Sequence, residues 1–386
     1  MNQKKIGLIA FFILLILLTS SISFTIAYFY FQKNSTNFLS PLKTKNTKTE
    51  TKKELPLLKY SFENLSKQEF KASSPIRIEK LISKDLDTKT YVLLFTYQSQ
   101  GKKISGVLNL KIDAENTKKP AIIMIRGYVP LETYYSGEGT KNAATVFAEN
   151  DYLTLAPDFL GFGESDPEPA DTWEARFIKV VNVVDLIRTI QTFPEIDLSQ
   201  IAELPIKKVS IDTSKIGIWG HSNGGQIALS TLEVLGSNLP TTLWAPVLAP
   251  FPYSILYFSD EYEDEGKETR KYVSLFEDDY DVFDFSLTKH LDKLNGPIQI
   301  QHGTADDSAL ISWTEEFLAK VDLENELRAT ASSQSAGASQ SAEKVKKEVI
   351  NIDFYKYPGA NHNLQPNWNQ AVQKDLSFFE KYLLTN

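Results

Sequence analysis

The chain has 386 residues, 42% of them hydrophobic, 12% aromatic and 23% charged, a balance that fits a protein with a buried core and excludes a disordered or collagen-like one. It has no cysteine and four histidines, which rules out a disulfide scaffold, thiolate metal sites and a cysteine nucleophile, and confines imidazole chemistry to His221, His290, His302 and His362. The net charge of −8 argues against a broad phosphate-binding surface, and so against a nucleic-acid partner.

From Ile6 to Gln32 no residue is charged, and about 20 apolar residues suffice for a helix to cross the hydrocarbon layer. Tyr28, Phe29, Tyr30 and Phe31 follow as an aromatic belt. No clear Ala-x-Ala-like site follows the apolar run, so residues 1–33 are expected to be an uncleaved transmembrane anchor rather than a cleaved secretory signal. Lys4 and Lys5 place the N-terminus inside and the large C-terminal part on the extracytoplasmic side. Residues 34–59, rich in Lys, Thr, Asn and Ser, read as a solvated tether. Residues 60–386 remain for the folded domain.

That domain opens with three short apolar runs, Ile76 to Ile82, Tyr91 to Tyr97 and Ile104 to Leu110, separated by turn residues, which predict an antiparallel meander. After Pro120 strand alternates with helix. Ala121–Ile125, Tyr152–Ala156, Ile216–Trp219, Thr242–Ala245, Ile298–Gln301 and Val349–Tyr355 are the predicted strands. The clearest predicted helix is Thr172–Thr192, where apolar residues recur every three or four positions. The fold class is therefore α/β, with a mostly parallel central sheet, antiparallel N-terminal strands and helices on both faces. Residues 251–290 interrupt the alternation as a lid. Between Asp260 and Asp284 stand eleven acids and three bases, a local −8 that leaves the rest of the chain neutral. Two readings are open for this stretch: carboxylates that favour cationic substrates, or a solvated outer face with Tyr257, Phe258, Tyr262, Phe276, Tyr280 and Phe283 packed beneath. The second is simpler. Residues 323–347, with a Ser, Ala, Gln and Gly tract, are expected to be a flexible insertion.

Directly after the strand ending at Trp219 comes Gly220-His221-Ser222-Asn223-Gly224-Gly225. A G-x-S-x-G run between a buried strand and a helix sets the serine on a tight turn, with small neighbours that let backbones approach. Ser222 is the candidate nucleophile, and the N–H of Asn223 points to the space above it. A serine hydroxyl needs a base. His362 follows the last strand on a loop at its carboxyl end, where catalytic groups of open α/β sheets gather. It is preferred to His302, while His221 is expected to support the turn. The orienting carboxylate should leave another strand's carboxyl end, and Asp306 and Asp307 both satisfy that requirement. Gly161-x-Gly163 lacks a third glycine and precedes acids and prolines, so it reads as a turn and not as a dinucleotide loop. No metal or cofactor is expected.

The order Ser222, Asp306/Asp307, His362 resembles the α/β-hydrolase fold. His302-Gly303-Thr304-Ala305-Asp306-Asp307-Ser308, Gly359-Ala360-Asn361-His362 and Asp158 to Ser165 resemble loops of the prolyl oligopeptidase family of serine peptidases. The resemblance covers about Ile76 to Leu384. It implies that the first paired aspartate, Asp306, is the triad acid, and that Arg126-Gly127-Tyr128 is the oxyanion loop, with the N–H of Tyr128 as second donor beside Asn223. It also implies a peptide substrate, while a small ester is the alternative, since esterases share this bare catalytic core. Two departures stand out. The stretch from Asn34 to Pro120 is far too short for the family's usual β-propeller, and Ala309-Leu310 replaces a common Val-Pro.

Overall fold

The computed structural model describes residues 53–112, 118–335 and 348–385. The expected anchor and residues 34–52 of the expected tether lie outside them. Among the described residues no helix is long and apolar enough to cross a membrane. The compact unit begins at Leu55, earlier than expected: Pro56–Tyr60 forms a 3₁₀ turn that buries Leu57 and Tyr60. Two apolar anchors three residues apart outweigh the polar composition around them.

A short helix, α1 (Phe62–Lys67), is capped by the Ser61 hydroxyl, which accepts from Asn64 N–H. Then come β1 (Arg77–Asp85), β2 (Thr90–Ser99), β3 (Lys102–Lys111) and β4 (Lys118–Ile125), followed by α2 (Lys141–Glu149), β5 (Leu153–Pro157), α3 (Thr172–Thr192), β6 (Glu195–Asp197) and β7 (Lys208–His221). After α4 (Asn223–Leu235) and β8 (Thr241–Trp244) lie two lid helices, α5 (Tyr253–Ser259) and α6 (Lys267–Glu277). The chain closes with β9 (Pro297–Gly303), α7 (Ile311–Ser335), β10 (Asn351–Tyr357) and α8 (Trp368–Phe379).

The sheet runs β1-β2-β3-β5-β4-β7-β8-β9-β10, with β6 paired to β7. Pairing from β1 through β3 to β5 is antiparallel, and from β5 through β4 to β10 parallel. The strand period of two divides the core. Along β4, Ala121, Ile123 and Ile125 face a cluster containing α3 and α4, while Ile122 and Met124 face one containing α2 and α8. Each face thus carries helices, and the carboxyl ends of the parallel strands share one edge, as the α/β-hydrolase fold requires.

Two features differ from expectation. β6 and the polar first half of β7 pair with each other, and neither segment has enough apolar alternation to predict a strand. Residues 323–335 continue α7 as helix. There the Arg328 guanidinium donates to the carbonyls of Leu291, Leu294 and Glu348 at 2.9, 2.9 and 2.7 Å, so a polar residue anchors the segment. The remainder of the expected insertion, 336–347, is outside the described residues.

The lid is joined to the sheet domain by aromatic packing. Phe251, Phe276 and Phe285 meet Trp173 and Phe177 of α3 at centroid distances of 4.8 to 6.0 Å. Phe276 is buried and Tyr280 packs against the core. Tyr257, Tyr262 and Phe283 are exposed, so the packed underside is narrower than the sequence implied.

Candidate active site

The nucleophile candidate sits where β7 meets α4. Ser222 has φ +57° and ψ −124°, a conformation that side chains rarely adopt and that strand-to-helix elbows impose. Its N–H donates to Trp244 O and its carbonyl accepts from Gly225 and Val247, at 2.9, 2.9 and 3.1 Å, so the strain is held from both sides. The flanking glycines are sterically required. A Cβ on Gly224 would collide with the Ile125 carbonyl, and one on Gly225 would lie 2.6 Å from Pro246 Cβ. α4 starts at Asn223 itself, directly after the serine.

The acid and base come from adjacent strands. Asp306 follows β9 and His362 follows β10, and Gly303 lets the two loops touch, since a Cβ there would collide with Ala360 O. Ala305 N–H donates to Ala360 O at 3.0 Å, Thr304 N–H to Tyr357 O at 3.0 Å, and Gly359 N–H to the Thr304 hydroxyl at 2.8 Å. Across this junction His362 Nδ1 meets the two Asp306 carboxylate oxygens at 2.9 and 3.1 Å. A carboxylate can only accept, so Nδ1 carries the proton and the Nε2 lone pair is left for an incoming hydroxyl. Asp307 is exposed and, among the described residues, accepts only from the neighbouring Ser308 hydroxyl. Among the described residues no hydrogen bond joins the Ser222 hydroxyl to the His362 ring, a contact that often tightens only with substrate.

Burial alone would raise the Asp306 carboxyl, but hydrogen bonds from His302 and His362 and from Ala309 N–H overcome it and hold the group well below the usual carboxylate range. His302 is fully buried behind Asp306. Its Nε2 lies 2.8 Å from Ala309 O and 3.2 Å from Asp306 Oδ2, and its Nδ1 2.9 Å from the Thr314 hydroxyl. It is therefore a clamp on the acid and does not reach the serine side. His221 donates through Nε2 to the His362 carbonyl at 3.0 Å, with the rings 4.7 Å apart. Burial and the neighbouring His362 push its pKa down to about 4, which keeps it neutral beside a base that must gain a proton. His290 stacks on Phe62 at 4.8 Å in the lid region.

The loop after β4 crosses above Ser222. A Cβ on Gly127 would stand 2.9 Å from Ser222 Cβ and 3.4 Å from Oγ, so glycine keeps the nucleophile uncovered. Among the described residues neither the Tyr128 nor the Asn223 N–H is taken by a backbone carbonyl. Both remain available to an oxyanion.

The sequence placed Arg126 and Asp158 in loops of the site but did not assign them the role of holding this one. The Arg126 guanidinium donates to Gly127 O at 2.9 Å and Asp158 O at 3.1 Å, and lies over the Tyr134 and Phe162 rings at 4.4 and 4.3 Å. The buried Asp158 carboxylate accepts from the hydroxyls of Tyr134, Ser105 and Ser136 at 2.6, 2.6 and 2.7 Å. Asp158 directly follows β5 at the catalytic edge, the kind of strand-end position that marked both Asp306 and Asp307.

The comparisons with known proteins agree with this architecture. Residues 194–385 match the model of the prolyl oligopeptidase family. The "Probable dipeptidyl-aminopeptidase B" of Paracoccidioides brasiliensis strain Pb18 is 30% identical over 174 residues, 45% of this chain and 16% of that protein. The chain thus spans less than a fifth of that relative's length. Among solved structures, an acetyl xylan esterase from Paenibacillus sp. R4 superposes with a TM-score of 0.57 at 14% identity, covering 86% of this chain and 100% of the esterase. Acetyl xylan esterase 1 from Thermoanaerobacterium sp. JW/SL YS485 gives a TM-score of 0.54 at 13% identity over 86% and 99%. At those identities the likeness is one of fold. The chain has the α/β-hydrolase fold, and over its C-terminal half it resembles the prolyl oligopeptidase family.

Proposed function

We propose that the chain is a membrane-tethered serine peptidase of the prolyl oligopeptidase type, acting through Ser222, His362 and Asp306. The observation that carries the reading is the Asp306–His362 pair on the loops beside a serine held at positive φ. Ser222 Oγ attacks the substrate carbonyl while His362 Nε2 takes its proton, and Asp306 steadies the imidazolium. The N–H groups of Tyr128 and Asn223 receive the oxyanion. His362 then passes the proton to the leaving amine, and water, activated by the same base, releases the acyl group from Ser222. Tethering rests on the uncharged Ile6–Gln32 segment, with the catalytic domain extracytoplasmic.

A carboxylesterase is the second reading, favoured by esterases that match 86% of this chain across nearly their whole length. A panel of peptidyl amides and short-chain esters, run beside Ser222→Ala, separates the two. Amide cleavage that depends on Ser222 supports the peptidase, and ester turnover alone supports the esterase. Turnover that survives in Ser222→Ala contradicts both.

A further inference from the structure

Beside the candidate oxyanion donors lies a cavity of about 620 Å³ whose wall includes Tyr128 and Asn223. It runs along α3 under the lid, with Trp173 and Phe177 as apolar wall and Arg176 and Lys179 as cations. Both cations are half-buried. Arg176 donates to the Gln226 side chain at 3.0 Å, and among the described residues no carboxylate lies within ion-pair distance of either. The acids at the rim form no ion pair with them: Glu168, which acts on Lys179 only from beyond that distance, and Glu268 are exposed, and Asp264 accepts from the N–H groups of Gly266 and Glu268 at 2.9 and 2.7 Å. Two half-buried cations without a directly paired carboxylate are costly to maintain unless a ligand supplies the charge.

The spacing says which ligand. Asn223 and Gln226 are three residues apart on α4, about 4.5 Å along the axis, and Gln226 touches Arg176. A substrate carbonyl seated at Asn223 therefore has the Arg176 cation about one helical turn away, beside Gln226. We propose that this cavity is the acyl pocket and that Arg176 and Lys179 select acyl groups ending in a carboxylate, whether a dicarboxylic half-ester or an acidic residue on the acyl side of a peptide bond. The inference rests on the serine-hydrolase mechanism proposed for Ser222. It sets aside the idea that the acidic lid selects cationic substrates.

Burial pushes the Lys179 ammonium down to about 8, with repulsion from Arg176 and Arg126 adding to it and Glu168 opposing. Any preference for an anion should therefore weaken as pH rises through about 8, while Arg176 stays charged.

The test compares kcat/KM for two anionic and neutral pairs: 4-nitrophenyl hydrogen glutarate against its methyl ester, and the 4-nitroanilide of N-acetyl-glutamate against that of the isosteric N-acetyl-glutamine. The expected anionic-to-neutral ratio is at least about tenfold in one or both pairs, the discrimination of a charge-assisted hydrogen bond. The ratio should fall towards unity in Lys179→Gln and Arg176→Gln, hold better in Lys179→Arg, and decline in the wild type above pH 8. Ser222-dependent labelling by a fluorophosphonate is run on the same samples. Labelling with ratios at or below one in both pairs overturns the acyl-pocket assignment alone. No labelling in folded protein overturns the proposed mechanism and this inference with it.

Discussion

Asp306 and Asp307 are neighbours of identical chemistry, and geometry separates them. Only Asp306 reaches His362 Nδ1, so Asp306→Asn should lower kcat by about 10⁴ because the amide no longer fixes the productive tautomer. Asp307→Asn should leave kcat within about twofold. Steady-state kinetics on the two variants decide the assignment. The sequence reached Asp306 only through a family resemblance, since strand-end spacing fits both residues equally. His302 illustrates a similar limit: its role depends on which way a buried ring points, and chain order does not encode that. Gly127 was legible as loop but not as a steric requirement. Gly127→Ala places a methyl against Ser222, and labelling by a fluorophosphonate should slow by about 10² or more, while the circular dichroism spectrum is retained.

At the level of elements, the elbow depends on how closely α4 approaches β4. Gly224→Ala has no room at the Ile125 carbonyl, and the overpacking should destabilise the fold by about 1–3 kcal/mol, read as a lower urea midpoint. The lid depends on aromatic anchors instead. Phe276 touches Trp173, Phe177, Phe251, Tyr280 and Phe285. Phe276→Ala should open a cavity worth about 3–5 kcal/mol of local packing, and faster hydrogen exchange should appear in α6 and the adjoining lid before it appears in the sheet. Long helices such as α3 match the sequence expectation residue for residue, because a 21-residue helix repeats its apolar spacing many times. β6 has three residues, fewer than two periods of a strand, and only pairing with β7 reveals it. The same reasoning explains Arg328, whose long stem and five donors make a polar residue act as a core anchor.

Across the whole molecule, Asp375 ties α8 to three strands. Its carboxylate accepts from the Trp219 and Trp244 indoles of β7 and β8 at 3.2 and 2.7 Å, and from Gln299 and Gln301 of β9 at 2.8 and 2.6 Å. Burial pushes its pKa up to about 7 against the pull of those donors, of which Trp244, Gln301 and Trp219 matter here. The folded protein then keeps the Asp375 proton to about pH 7, whereas an unfolded chain releases it near pH 4. Between those values the folded state binds more protons, so stability falls as pH rises. Asp375→Asn removes that slope, and its amide N–H groups meet donors, so the variant should be less stable at pH 5. Urea denaturation at pH 5 and pH 7 should show the wild type losing on the order of 2 kcal/mol more than the variant over that interval. The sequence made the layered α/β plan legible because alternation and strand-end loops are local patterns. Buried polar ties such as Asp375 and Asp158 join segments far apart in the chain, and they become visible only when the sheet order is known.

The central claim is that Ser222 is a nucleophile activated by the His362–Asp306 pair, and fluorophosphonate labelling followed by peptide mass spectrometry tests it most directly. One phosphonyl adduct on Ser222 is expected, absent in Ser222→Ala and formed far more slowly in His362→Ala and Asp306→Asn. An adduct on another residue, or an unchanged rate in His362→Ala, would contradict the account.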